Sequence, residues 1–79
     1  MKNEYIPKII ESIAATHEDA DASTITAETH FNEIPGMDSM SVVVFQMHLA
    51  DLIGEVADQV IPIMDMTINE YAEALESIS

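Results

Sequence analysis

The chain has 79 residues, of which 48% are apolar, and a formal net charge of −13 from fifteen acidic side chains and two lysines. This length predicts one domain over residues 1–79, with a small core. Because nucleic acids and anionic membranes are bound through Lys and Arg, the charge argues against both and favours partners with basic patches. The chain has no cysteine, which excludes a disulfide and a thiolate metal site.

No apolar run approaches the roughly 18 residues of a membrane span. The first residues lack the charged and then apolar layout of a signal peptide. We therefore expect no membrane span and a cytoplasmic location.

The first segment predicts an amphipathic helix. Pro7 is tolerated best in a first turn, so the helix should begin near Glu4 to Ile6. Apolar residues recur at helical spacing on one side, and polar ones fall on the other. The apolar set is Tyr5, Ile6, Ile9, Ile10, Ile13 and Ala14, and the polar set is Lys8, Glu11, Ser12 and Thr16.

A long connection over residues 17–38 follows. Connections of about twenty residues are uncommon in compact domains and are usually functional or disordered. Ile25, Phe31 and Ile34 are apolar residues that should fold this one over the helices, so we expect it to be ordered. A short helical turn over residues 27–31 is possible.

The stretch from Gly36 to Met40 combines a glycine, an acid and a serine just before an apolar helical segment. Gly36 can adopt backbone angles closed to other residues. Asp38 is a good N-cap, whose carboxylate can accept the backbone N–H of residue 40 or 41. Ser39 should then present its hydroxyl to solvent on the first turn, where the helix dipole favours a phosphate.

The second helix is expected over residues 39–53, with Gly54 as its C-terminal stop. It is apolar over most of its circumference, which predicts a central place in the core. One apolar face comprises Val42, Phe45, Leu49, Leu52 and Ile53, and a second comprises Met40, Val43, Met47 and Ala50.

The last third of the chain predicts two more helices. Pro62 interrupts an apolar run, so we expect a turn and then a short helix that begins near Pro62. Thr67 and Glu70 form a capping box for the last helix. The buried face of that helix should consist of Ile68, Tyr71, Ala72, Leu75 and Ile78.

This order of segments resembles an acyl carrier protein of the phosphopantetheine-binding family. The resemblance covers nearly the whole chain, with Gly36-Met37-Asp38-Ser39-Met40 at the centre. It implies an all-α four-helix bundle with a long loop between helices 1 and 2 and a short third helix. It also implies that a phosphopantetheinyl transferase attaches 4′-phosphopantetheine from coenzyme A to Ser39, and that Asp38 helps the transferase to recognise the site. The thiol of that arm would hold acyl cargo as a thioester, so the chain would be a carrier and not an enzyme.

The sequence departs from the common fatty-acid-synthesis pattern at Met40, which is usually Leu, and at Ser41 and Val44, which are usually acidic. We therefore expect a specialised carrier that serves a dedicated acyl-loading ligase, ketosynthase or acyltransferase with a basic docking patch. Met40, Val44 and His48 are the candidate docking contacts on a monomer. A fatty-acid carrier and an aminoacyl or peptidyl carrier remain alternatives.

The methionines allow two interpretations. Met is adaptable and could line a cavity for an acyl chain, or it could simply fill gaps in a small core. The cavity candidates are Met47, Ile63 and Met64, with Met40 and Met66 as further methionines that could contribute.

No metal site is expected. The three histidines share no ligand spacing, and His48 should form a local surface pair with Asp51. Asp19 and Asp21 resemble the start of a calcium loop, but Thr24 replaces its required glycine and His30 its required glutamate.

Two rival functions stay open from the sequence. The chain could be a carrier-like interaction module that is never modified, or, less well supported, an acidic protein that buffers cations. An esterase role for Ser39 is disfavoured, since the chain has no G-x-S-x-G motif and is too short for the sheet that this motif needs.

Overall fold

The computed structural model describes residues 2–78, with side chains from Glu4 onward. Over this range the fold is all-helical. It comprises three α-helices, α1 (Lys2–Thr16), α2 (Ser41–Ile53) and α3 (Ile68–Ile78), and two short 3₁₀ turns at Phe31–Glu33 and Glu55–Gln59.

The core lies where α2 and α3 pack against α1. Three aromatic rings fill its centre: Phe31, Phe45 and Tyr71 are fully buried, with ring centroids 5.5 to 6.0 Å apart. Such tilted and edge-on ring contacts add to the free energy gained by burying the rings. Around them lie the buried aliphatic residues Ile9, Ile13, Leu49, Ile68 and Leu75.

Helix α1 begins at Lys2, so the prediction of a start near Glu4 to Ile6 is wrong. Pro7 lies inside the helix rather than in its first turn. Its side chain is exposed, and the one backbone hydrogen bond that it removes lies close to the helix end. Ser12, predicted on the polar side, is fully buried, because its hydroxyl lies 3.1 Å from Nδ1 of His48 across the α1–α2 contact.

The connection between α1 and α2 is ordered, as predicted, with Ile25, Phe31 and Ile34 buried. Its short helical turn is Phe31–Glu33 rather than residues 27–31. The backbone of this region is tied to the segment before α3 by hydrogen bonds such as Phe31 N–H to the Met66 carbonyl, at 3.0 Å.

Helix α2 begins at Ser41, so the predicted start at Ser39 is wrong, and Ser39 lies in the turn before the helix. The helix ends at Ile53, and Gly54 follows it with φ of +91°, as predicted. It is less central to the core than expected, because only one of its two apolar faces is buried.

The expected short helix near Pro62 is absent from the described residues, so the predicted four-helix bundle is not seen. Instead a 3₁₀ turn occupies Glu55–Gln59, and the chain then extends through Val60. Pro62 is buried between the exposed Ile61 and Ile63, which is the alternation of an extended segment.

Helix α3 begins with the predicted capping box. The Thr67 N–H donates to Glu70 Oε1 at 2.9 Å, and the Glu70 N–H donates to Thr67 Oγ1 at 3.1 Å. Ile68, Tyr71, Ala72 and Leu75 are buried as expected. Ile78 is 46% exposed, so its assignment to the buried face is wrong. Within the described range, no helix is both long and apolar enough to cross a bilayer.

Candidate functional site

The site predicted at the start of α2 is a tight turn followed by a capped helix end. Gly36 has φ of +80°, in the region that side chains with a Cβ rarely adopt. The turn delivers Asp38 to the helix start, where its Oδ1 accepts the N–H of Met40 at 2.9 Å and of Ser41 at 2.8 Å. The Asp38 side chain therefore caps the start of α2 through the predicted N–H groups, although the N-cap position itself is Met40, because the helix begins at Ser41.

The cap is reciprocal. Ser41 Oγ accepts the backbone N–H of Asp38 at 2.8 Å, so that a serine fills the place that Glu or Gln holds in a capping box. The hydrogen bonds that the Asp38 carboxylate accepts lower its pKa below the ordinary value. The largest contribution comes from the Ser41 N–H and the next from the Met40 N–H. The charged carboxylate thus stabilises the helix end that presents Ser39.

Ser39 and Ser41 have opposite surroundings. The Ser39 side chain is exposed, and its hydroxyl forms no hydrogen bond with any other residue in the 2–78 range. The Ser41 hydroxyl also lies 2.9 Å from the Gly36 carbonyl oxygen and 3.0 Å from Nε2 of His17. Of these two hydroxyls, that of Ser39 can be modified without breaking a hydrogen bond of the turn.

The buried ring of His17 joins this turn to the end of α1. Its Nε2 faces Ser41, and its Nδ1 lies 2.9 Å from the Thr16 hydroxyl. Gly36 packs against the same ring, because a Cβ added to Gly36 would lie 3.6 Å from Cδ2 of His17. The position of Ser39 therefore depends on α1 as well as on α2.

The geometry at Ser39 fits a group attached covalently through its oxygen, because the hydroxyl is open to solvent and unbonded. The nearby N–H groups of Met40 and Ser41 already donate to Asp38, and that of Val42 donates to the Asp38 carbonyl at 3.0 Å. A phosphate on Ser39 would thus gain from the helix dipole without taking those N–H bonds.

The outer face of α2 is apolar and uncovered. We define the α2 face as the residues Met40, Val43, Val44 and Met47, which recur at helical spacing and are 81, 52, 53 and 65% exposed. Asp51 is the only acidic residue of α2. A contiguous exposed apolar face of this kind commonly marks an interaction surface.

Of the three docking candidates, the structure places Met40 and Val44 together on this face. His48 is half-buried, and its Nδ1 is directed to Ser12 of α1. The predicted surface pair of His48 with Asp51 is wrong, because the packing of α2 on α1 offers His48 a nearer hydroxyl.

Only one of the three acyl-cavity candidates packs against the core. Met47 and Ile63 are exposed, and Met64 is half-buried against the core. A cleft of about 240 Å³ lies instead in the connection between α1 and α2. Its lining includes three acids and no cavity candidate: Asp19, Ala20, Asp21, Thr24, Ile25, Thr29, Glu33, Ile34 and Pro35.

No motif marks Gln46 in the sequence, yet with Ser12 and His17 it is one of the buried polar residues of the described range. Its Nε2 donates to the carbonyls of Ala57 at 3.1 Å and Val60 at 3.0 Å. The buried hydroxyl of Tyr71 donates to the Val60 carbonyl at 2.9 Å, and burial raises the pKa of Tyr71. The only signal in the sequence was a lone polar residue between the apolar positions Phe45 and Met47.

Comparison with protein-family models, curated proteins and solved structures gives no match to the chain.

Proposed function

We propose that the chain is a carrier protein that holds acyl or related cargo on a 4′-phosphopantetheine arm attached to Ser39. One observation supports this above all. The Ser39 hydroxyl is exposed and unbonded directly after a structured cap, while the Ser41 hydroxyl two residues later is fully engaged.

We propose this role for the exposed serine because the order of segments along the chain resembles that of the carrier family. In the proposal the arm supplies a thiol, which this cysteine-free chain lacks. The chain itself holds the attachment oxygen at a fixed place. Gly36 makes the turn, Asp38 caps α2, and Ser41 with His17 ties the turn to α1. None of these residues needs to act on the cargo, so the protein is a substrate of other enzymes and not a catalyst.

The family fold has a short third helix, and we take the 3₁₀ turn Glu55–Gln59 as its counterpart here. The proposal also assigns Asp38 to recognition by the transferase, and it places the protein in the cytoplasm as a monomer.

Partner enzymes are proposed to dock on the α2 face. Because that face is apolar while the chain as a whole carries a charge of −13, the fitting partner has an apolar contact area within a basic surface. An acyl-loading ligase, a ketosynthase or an acyltransferase of a specialised pathway would meet this description. The paucity of acids on α2 argues against docking by charge alone, on which housekeeping fatty-acid enzymes rely.

A second candidate function is an interaction module that is never modified. The exposed α2 face favours it, because such a face can bind a partner whether or not Ser39 carries an arm. The two proposals differ only in the chemistry at Ser39.

The test is the intact mass after incubation with coenzyme A, magnesium and a broad-specificity phosphopantetheinyl transferase. We expect wild type to gain one phosphopantetheine and Ser39→Ala to gain none. Ser77→Ala is the control, since it removes the hydroxyl of an exposed serine in α3, away from this turn, and it should still be modified. No gain on wild type would reject the carrier and leave the interaction module.

A further inference from the structure

The space between α2, the turn Glu55–Gln59 and α3 is closed by a cluster of buried polar groups. Gln46 reaches across from α2, and Tyr71 reaches across from α3. Both donate to the Val60 carbonyl, and both also lie within hydrogen-bond distance of the Ala57 carbonyl, at 3.1 and 3.4 Å. We call these four groups the Gln46 lock.

The Gln46 lock is a barrier to opening the fold at this place. Separating α2 from the segment after it would leave an amide, a hydroxyl and two carbonyls without their hydrogen-bond partners, which costs free energy. Behind the lock, the rings of Phe45 and Phe31 pack against Tyr71, with centroids 6.0 and 5.5 Å from it. An alkyl chain that entered here would have to displace both layers.

The other places where cargo could be stored do not suit a long alkyl chain. The cleft in the connection that joins α1 to α2 has Asp19, Asp21 and Glu33 in its lining, and burying an alkyl chain beside these carboxylates would strip water from them. Met47 and Ile63 point outward. An alkyl chain laid over the α2 face would cover the surface proposed for docking.

We infer that the cargo of this carrier stays outside the folded core, and that its class is short or polar acyl groups. The inference rests on the proposed arm at Ser39. Short or polar cargo needs no burial, because its apolar area in water is small. Gln46, Tyr71 and Phe45 fill the place between α2 and α3 where a longer alkyl chain would need to be buried.

The test compares carriers loaded by the transferase from acetyl-, octanoyl- and dodecanoyl-coenzyme A, with loading verified by mass. A group that binds in the folded core raises the melting temperature, because it stabilises the folded state alone. We expect the three loaded forms to melt at the same temperature and to show the same amide hydrogen exchange at Phe45 and Leu49. A melting temperature that climbs with chain length, or slower exchange at these residues, would overturn the inference.

Gln46→Leu provides the second arm of the test, since it keeps the approximate volume and removes the donor that closes the lock. Its dodecanoyl form should melt above its acetyl form, in contrast to wild type. Gln59→Leu is the matched control, because Gln59 is exposed in the turn Glu55–Gln59, and it should behave as wild type. If Gln46→Leu folds and shows no dependence on chain length, Gln46 does not keep the cargo out.

If Gln46→Leu fails to fold, Tyr71→Phe takes its place, because it removes one hydrogen-bond donor from the lock with a smaller loss of stability. The comparison of the three loaded forms of wild type still decides the inference. If none of the three acyl-coenzyme A compounds loads wild type, both the arm on Ser39 and this inference are rejected. Successful loading with stabilisation that depends on chain length would reject only the inference on cargo.

Discussion

At the scale of single residues, Asp38 decides how Ser39 is presented. Its carboxylate accepts the N–H groups of Met40 and Ser41 at the start of α2, and its own N–H donates to Ser41 Oγ. The pKa of Asp38 is lowered by these bonds, first by that from Ser41 and then by that from Met40. The stabilisation it provides is therefore present above the pKa of an unfolded Asp, about 3.9, and is lost as the pH falls through the lower folded value.

We expect Asp38→Ala to unfold more readily than wild type at pH 7, by a few degrees in melting temperature, and the difference to shrink below about pH 4. Asp38→Asn is the control, because Asn also caps helices but carries no charge to titrate. Melting of the three proteins from pH 7 to pH 3 measures the effect. An Asp38→Ala deficit that is the same at every pH would show that the carboxylate charge does not stabilise this helix end.

Residues whose roles are local were predictable, and those whose partners are distant in sequence were not. Gly36 and Asp38 act within their own turn, so their residue types were sufficient to assign them. Ser12 contacts His48, which is 36 residues away, and His17 contacts Ser41, which is 24 residues away. Gln46 donates to the Val60 carbonyl, 14 residues away, and nothing in the local pattern identifies these partners.

At the scale of elements, α2 serves two purposes. Val42, Phe45 and Leu49 bury one face in the core, and the α2 face remains exposed on the other. The exposed face adds no buried area to the core, and it leaves an apolar surface that a partner can cover. The sequence indicated both faces and could not tell which one the rest of the chain would cover.

Val44→Glu tests the docking role of the α2 face. We expect little change in melting temperature, because Val44 is half exposed, and a gain in turnover with ordinary fatty-acid enzymes, which recognise an acidic helix. Asn32→Asp adds the same charge at an exposed position outside α2 and should give no such gain. Equal turnover for Val44→Glu and wild type would count against the specialised docking surface.

The predicted and observed elements differ most between α2 and α3. The capping signals of α3 and the glycine stop of α2 are local, and both are confirmed. The turn Glu55–Gln59 has no such signal, because it is held by Gln46 and Tyr71 from two other helices. A short helix near Pro62 was therefore a reasonable prediction from the local sequence, and it is wrong.

At the scale of the whole molecule, charge repulsion opposes folding. Fifteen acids and two lysines share a fold with a radius of gyration of 10.9 Å. The screening length of about 10 Å at 0.1 M salt is similar to this radius, so salt should weaken repulsion between acids on different sides of the protein. A domain this small has a small margin of stability against that repulsion.

We therefore expect the melting temperature to rise with sodium chloride, and to rise further with millimolar magnesium. A variant with Asp51→Asn and Asp65→Asn, which removes one exposed acid from α2 and one from the turn before α3, should respond less steeply to salt. A melting temperature that stays flat or falls over the titration would mean that self-repulsion does not limit the stability of this protein.

The carrier account is tested most directly by fragmentation mass spectrometry of wild type after reaction with coenzyme A, magnesium and a phosphopantetheinyl transferase. The account predicts one added phosphopantetheine on every fragment that contains Ser39, and none on fragments confined to residues 1–38 or 40–79. An added group on Ser41 or any other residue, or a chain that remains unmodified, would contradict it.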